Sequence, residues 1–405
     1  MQPVRKLALV LAGLIAIPAA AQLAVPGVSL PEVPSLPLPD LPVGRAAGDL
    51  GDTVSNARRL LDIRAERIER LLRRNRETIE PDMRGAPARR GELLLLDPSP
   101  ATLAAVQAAG FAPLAREDLG SLGLTVVRVS VPRGMKLAEA QQRLARAAPG
   151  AEVAPDNLHF QAGASLPLQV ASAASPIATP VGVIDGAPRQ PVAALRGFAE
   201  GAPVASNHGS AVVSLLESAG ARNVRAADIY GRDPAGGNAL ALIRALDWLA
   251  GGGARVISIS LDGPENAAVG KAVEAVRHRG VIVVAAVGND GPAAPPAYPA
   301  SYPGVLAVTG VDGRGRALIE AGRALHLDYA APGADIMARD RRGRWDRVRG
   351  TSYAVPLVAA RAAAALASGG NWRATLDREA EDLGPRGPDA QYGRGLLCRR
   401  CARSR

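Results

Sequence analysis

Val181-Gly182-Val183-Ile184-Asp185-Gly186 is an unbroken apolar run closed by a carboxylate and a glycine. A strand of a parallel sheet has this character, because helices cover both of its faces. Asp185 then falls at the strand's C-terminal end, the edge of an open α/β sheet where ligands and chemistry collect. The plainer alternative is an aspartate that only starts a turn. Outward from this run, strands at 181–185, 224–229, 255–260, 281–287 and 304–310 alternate with helices over 208–218, 238–250, 266–278 and 352–367. Such alternation predicts an α/β fold, a mostly parallel sheet wound on both faces. No internal repeat is visible.

Three further segments carry chemistry. Ser206-Asn207-His208-Gly209-Ser210 precedes an apolar helical run, so His208 stands at a helix start. Arg349-Gly350-Thr351-Ser352-Tyr353-Ala354-Val355-Pro356 places Ser352 between a glycine turn and an alanine-rich helix, where free N–H groups and the helix dipole favour a nearby negative charge. Gly-Thr-Ser before a helix is also an ordinary cap. Val281 to Asn289 is a second buried strand, ending in Gly288-Asn289. A hydroxyl, an imidazole to take its proton, and a carboxylate to fix the imidazole tautomer are the parts of an acyl-transfer site. Ser352, His208 and Asp185 supply them. The Asn289 amide can donate to the oxyanion beside the Ser352 N–H. The other histidines fit less well: His278 lies in a charged helix end, His326 follows a loop, and His159 falls in a different domain.

Asp185, His208, Asn289 and Ser352, in that order and each in its local motif, resemble the subtilisin-like serine peptidases (subtilases, peptidase family S8) over roughly residues 165–397. The order Asp, His, Ser separates that group from other serine hydrolases. The resemblance implies a serine endopeptidase. It also implies that Ser258 to Pro264 pairs with extended peptide substrates, with Ser260, Leu261, Asp262, Gly263, Ala286 and Gly288 as substrate-binding residues. The plain alternative for 256–263 is a core strand. The walls named for the pocket, Ala285 to Gly288 and the strand around Leu261, are small and apolar and favour an apolar or aromatic residue before the cleaved bond, while Asp262 at the rim admits a basic one. Three departures stand out: Gly186-Ala187-Pro188 replaces Thr-Gly after the aspartate, Gly209-Ser210 replaces Gly-Thr, and Tyr353 replaces methionine. No cofactor is implied; calcium is common in the family, but no dense carboxylate loop is present to hold it. An alternative is a catalytically impaired relative that binds extended peptides in the cell envelope.

Residues 91–162 form a separate α+β domain on the sequence pattern. Glu92–Leu96, Leu124–Val131 and Glu152–Ala154 predict strands, and Ala101–Ala109 and Leu137–Ala147 predict helices, in a ferredoxin-like βαββαβ order. By the same resemblance this is an inhibitory propeptide, with Asn157 to Gln161 lying in the cleft and cleavage nearby. The domains expected are thus 1–21 signal peptide, 22–90 spacer and helix, 91–162 propeptide, 163–397 peptidase and 398–405 basic tail.

The ends and the composition set the compartment. Arg5 and Lys6 before the apolar Leu7 to Ile17, then Ala19-Ala20-Ala21, describe a secretory signal peptide, so the protein is expected to be exported to the periplasm, envelope or medium. Six prolines between Pro26 and Pro42 predict an extended spacer. Thr53 to Ile79 is an arginine-rich amphipathic helix that packs one stripe on a neighbour or rests on an anionic membrane surface. The net charge of +10 would suit nucleic acid, but the export signal and an aromatic content of 3% argue against it. The partners expected are therefore protein or peptide substrates and the chain's own propeptide. Arg339 to Arg349 predicts a solvated hairpin, the alternative being a site for acidic substrates. Cys398 and Cys401 predict a local disulfide or a link between chains.

Overall fold

The computed structural model describes residues 46–167 and 175–401. It separates into two units, Met1–Asn56 and Ala57–Arg405; of the first only the opening turns of helix α1 (Ala46–Arg74) are described. The expected signal peptide and proline spacer lie outside the described residues.

Helix α1 ends five residues earlier than the pattern predicted. The Asn75 side chain donates to the Leu71 carbonyl, and the chain turns back into strand β1 (Ile79–Pro81). Within Ala57–Arg74 the apolar stripe faces protein: Leu71 and Leu72 pack on Ile79, Leu158 and Ala235, and Leu60 lies against Gly291. Of the two readings of this helix, the structure has the packed one, with only Ile63 left largely exposed.

Next come β2 (Pro87–Leu96), α2 (Pro100–Ala108), β3 (Ala112–Leu119), β4 (Leu124–Ser130), α3 (Leu137–Ala147) and β5 (Glu152–Asn157). They form the expected βαββαβ unit, an antiparallel sheet in which β5 pairs β2, β2 pairs β4 and β4 pairs β3. The pattern left β3 unlocated. It is an edge strand with charged residues and little burial, so it lacks the alternation that marks a half-buried strand. Leu93 to Leu96 are all buried for two different reasons. Leu93 and Leu95 meet α2 and α3 in the domain's own core, whereas Leu94 and Leu96 point the other way into the core of the following domain.

After β6 (Phe160–Gln161) and β7 (Ala164–Pro167) the large domain begins. It comprises β8 (Val181–Asp185), β9 (Ala194–Gly197), α4 (Asn207–Ser218), β10 (Val224–Asp228), α5 (Ala239–Gly251), β11 (Val256–Ile259), β12 (Leu261–Asp262), α6 (Ala267–His278), β13 (Ile282–Ala286), β14 (Leu306–Val311), β15 (Tyr329–Pro332), β16 (Ala334–Arg339), β17 (Trp345–Arg349), α7 (Val355–Ala367) and α8 (Trp372–Glu379). Seven strands form one wholly parallel sheet in the order β15-β14-β13-β11-β8-β10-β9. Helices α4 and α7 share a core with one face, and α5 and α6 with the other. The fold is the α/β architecture the sequence predicts. The β2–β5 sheet lies on the α5/α6 side, where Leu94, Leu96 and Ala154 join that core.

Hairpin β16–β17 accounts for the arginine run. Asp340 accepts the Arg342 and Arg344 N–H groups at 2.8 Å each and holds the turn. Its far edge is not free to solvent, because β17 pairs with β7. Cys398 and Cys401 are joined in a local disulfide.

Candidate active site

Asp185, His208 and Ser352 arrive from three elements. Asp185 ends β8, an interior strand of the sheet between β11 and β10. His208 sits in the first turn of α4, whose cap is Ser206 accepting from the Gly209 N–H at 2.9 Å. Ser352 lies in a single 3-10 turn, Thr351–Tyr353, ahead of α7. They converge: His208 Nδ1 lies 2.7 Å from Asp185 Oδ2, and His208 Nε2 lies 2.9 Å from Ser352 Oγ. All three are buried. The second carboxylate oxygen, Oδ1, accepts from the Gly186 N–H at 2.7 Å and from the Gln161 side-chain amide at 2.9 Å. The hydroxyl missing from the loop after Asp185 is thus replaced by donors from the loop's own backbone and from the preceding segment. Tyr353 packs its ring on His208, with centroids 5.2 Å apart.

Asn289 adjoins the serine as expected. Its side-chain oxygen accepts from the Thr351 N–H at 3.0 Å, which fixes the amide and leaves its NH₂ as donor. A Cβ on Gly350 would stand 2.8 Å from that nitrogen and 2.7 Å from the Ala162 carbonyl oxygen; with φ at 144°, only glycine suits this position.

The chain's own segment runs through the cleft. Gln161 and Phe160 pair antiparallel with Leu261 and Asp262. The next carbonyl, that of Ala162, accepts from the Ser352 N–H at 3.2 Å, and the Ser352 hydroxyl is in close contact with it. Beyond it, Ala164–Pro167 pairs with Asp346–Arg349. An extended peptide therefore lies with strand pairing on both sides of Ala162–Gly163. A Cβ on Gly163 would meet Tyr353 at 2.4 Å and Ser352 Oγ at 2.7 Å, so the residue after the carbonyl must be small here.

The proposed substrate-binding residues divide. Leu261 and Asp262 form the pairing strand. Ser260 is buried and donates from Oγ to the Ser352 carbonyl at 2.9 Å, which braces the serine turn. Gly288 lines a cavity of about 380 Å³ with Asp262, Gly263, Val287 and Asp290. Gly263 has its main chain committed to Tyr298, at 2.8 and 3.1 Å. Ala286 is misassigned: its side chain lies in the α4/α7 core, because successive residues of β13 point to opposite faces. Sequence reasoning put Gln161 in the cleft but not on Asp185, and it missed Gly163, the role of Thr351 and Asp290, which accepts from Arg64 Nε and Arg67 Nη2 of α1 at 3.0 Å. The adjacency of Asp290 to Asn289 was the available signal. Among the described residues no group of three His, Cys, Asp or Glu side chains could hold a metal ion.

A parallel sheet with an aspartate, histidine and serine in this order defines the class of subtilisin-like folds. The model of the subtilase family matches residues 199–395. Subtilisin BL of Lederbergia lenta is 30% identical over 191 residues, which span 46% of this chain and 69% of that protein. Subtilisin E of Bacillus subtilis is 30% identical over 206 residues, 49% of this chain and 52% of its own length. The chain belongs to the subtilase family. It spans about half the length of several of the subtilisins it matches. Among solved structures, fervidolysin from Fervidobacterium pennivorans, a keratinolytic enzyme related to subtilisin, superposes with a TM-score of 0.62 at 18% identity, over 78% of this chain and 61% of that one. That likeness is one of fold.

Proposed function

We propose that the protein is an exported serine endopeptidase made as a precursor, and that the Ala162–Gly163 bond is its own first substrate. The observation that carries this reading is the Ala162 carbonyl lying on Ser352 while His208 and Asp185 stand in line behind the hydroxyl. Ser352 Oγ attacks the carbonyl carbon and its proton passes to His208 Nε2. Asp185 orients the ring and stabilises the imidazolium. The developing oxyanion is held by the Ser352 N–H and the Asn289 NH₂. The C–N bond breaks, His208 protonates the Gly163 amine, and water then hydrolyses the acyl-enzyme to free the Ala162 carboxylate. The proposed chemistry draws on no cofactor.

Residues up to Ala162 act as the propeptide in this reading. Main-chain pairing along β12 explains how the same cleft would accept other extended peptides. The alternative of an impaired peptide-binding relative drew its support from the altered loop after Asp185, and the Gly186 N–H supplies a donor there. A fluorophosphonate probe should label Ser352 in the processed protein, and His208→Ala should abolish labelling. Labelling that persists in the variant refutes the assignment.

A further inference from the structure

The cavity beside the pairing strand is bounded on one side by Asp262, Val287, Gly288 and Asp290 and on the other by Arg64 and Arg67 of α1. The Asp262 carboxylate stands over Gly288: its oxygen lies 3.0 Å from where a Cβ on that glycine would be. Asp290 next to Asn289 is engaged by both guanidinium groups, Arg64 through Nε at 3.0 Å and Arg67 through Nη2 to both oxygens at 3.0 Å. Among the described residues the Asp262 carboxylate accepts no hydrogen bond. Ala162, the residue whose carbonyl reaches Ser352, carries only a methyl group and is not among the residues that line this cavity, as Phe160 is. The cations come instead from a helix about a hundred residues upstream, on the segment that leaves once the chain is cut after Ala162. Phe160, stacked under Arg67 at 5.5 Å, leaves with it.

We propose that Asp262 and Asp290 form an acidic specificity pocket that selects an arginine or lysine side chain before the cleaved bond, and that Arg64 and Arg67 fill it with cationic charge in the precursor. The inference rests on the endopeptidase reading above. Removal of α1 takes both guanidinium groups from Asp290 and leaves it beside Asp262 in a concave, partly apolar site. A planar guanidinium restores the paired contacts that Arg64 and Arg67 make. An uncharged residue leaves both acids desolvated and unpaired, and discrimination follows from that difference. The tethered bond is cut without a cation at position 162, because the chain itself supplies the effective concentration that a free substrate must obtain from pocket contacts. In this proposal the basic alternative that Asp262 admitted takes the place of the apolar or aromatic preference that the small pocket walls suggested.

The test uses the processed enzyme, with active sites counted by fluorophosphonate labelling. Peptides differing only in Arg, Leu or Ala before the scissile bond are compared by kcat/KM, for wild type, Asp290→Asn and Asp262→Asn/Asp290→Asn. The Arg peptide should lead, and the Arg-to-Leu ratio should fall roughly 100-fold in the double variant. Benzamidine should inhibit wild type competitively and lose that inhibition in Asp290→Asn, a single change that serves if the double variant does not fold. A labelled, active enzyme that prefers Leu, or whose Arg-to-Leu ratio is the same in the variants, overturns the pocket and leaves the peptidase reading standing. Absence of labelling and of hydrolysis for every peptide overturns the peptidase reading, and this proposal with it.

Discussion

Gly163→Ala is the change that should most sharply slow self-cleavage while leaving the reacting groups in place. The new Cβ would stand 2.4 Å from Tyr353 Cε2 and 2.7 Å from Ser352 Oγ. Carbon atoms in contact need about 3.5 Å, so either the peptide or the ring must retreat by roughly 1 Å. Tyr353 is only 2% exposed and packs against His208, which leaves the peptide to move. Displacing a scissile carbonyl by about 1 Å from a nucleophile costs on the order of 10²-fold in rate. Wild-type and variant precursors, refolded from denaturant and followed by intact mass, should differ by about that factor in half-time. Thermal melts of the two precursors blocked by Ser352→Ala check that both fold. Cleavage after Ala162 at the wild-type rate in Gly163→Ala would refute the placement of the bond.

Other outcomes follow from the same geometry. Asn289→Ala should lower kcat of the processed enzyme by about 10²–10³ with little change in KM, because its NH₂ acts when the oxyanion forms; a change confined to KM would argue against that role. Burial pushes the His159 pKa from 6.5 to about 4, and its Nε2 has no hydrogen-bond partner among the described residues. The folded chain then binds fewer protons than the unfolded one between those values, so the contribution of His159 is complete above pH 6.5 and is lost as pH falls towards 4, by roughly 3 kcal/mol. Melts of the Ser352→Ala precursor at pH 7 and pH 4.5 should show a loss that His159→Leu reduces; equal losses contradict the burial argument. Leu94→Ala, at the junction of the β2 sheet with α5 and α6, should cost about 2–5 kcal/mol in denaturant unfolding of the same precursor. A change below about 1 kcal/mol would mean that this face is not packed as described.

The residues around Ser352 were legible because motifs that are each ordinary alone occur together in one order: a strand ending in Asp185-Gly186, a capped helix opening at His208, a strand ending in Gly288-Asn289. Most of the parallel core was legible for the related reason that β8, β11, β13 and β14 are largely apolar, whereas β9, with Arg196 and an exposed Leu195, and β15 were not located. Parity within an apolar strand was not legible. Ala285, Ala286 and Val287 give no alternation, so nothing in the pattern told that Ala286 turns into the α4/α7 core while Gly288 reaches the cavity. Edge strand β3 was hidden by its charge. The position of α1 was hidden for a different reason: its arginine stripe fits a solvated face or a membrane as well as it fits Asp290, and only the tertiary structure brings residues 64 and 290 together. The cleft segment was half legible. Sequence put Asn157 to Gln161 there, while the step from paired strand to the Ala162 carbonyl depends on where β12 ends relative to Ser352.

The most direct measurement is a timed mass spectrum of the purified precursor, wild type beside Ser352→Ala. Wild type should yield a new N-terminus at Gly163, and the variant should keep its bond intact for the whole course. Cleavage after Ala162 in the Ser352→Ala chain, at the same rate and without another protease present, would contradict self-cleavage by Ser352.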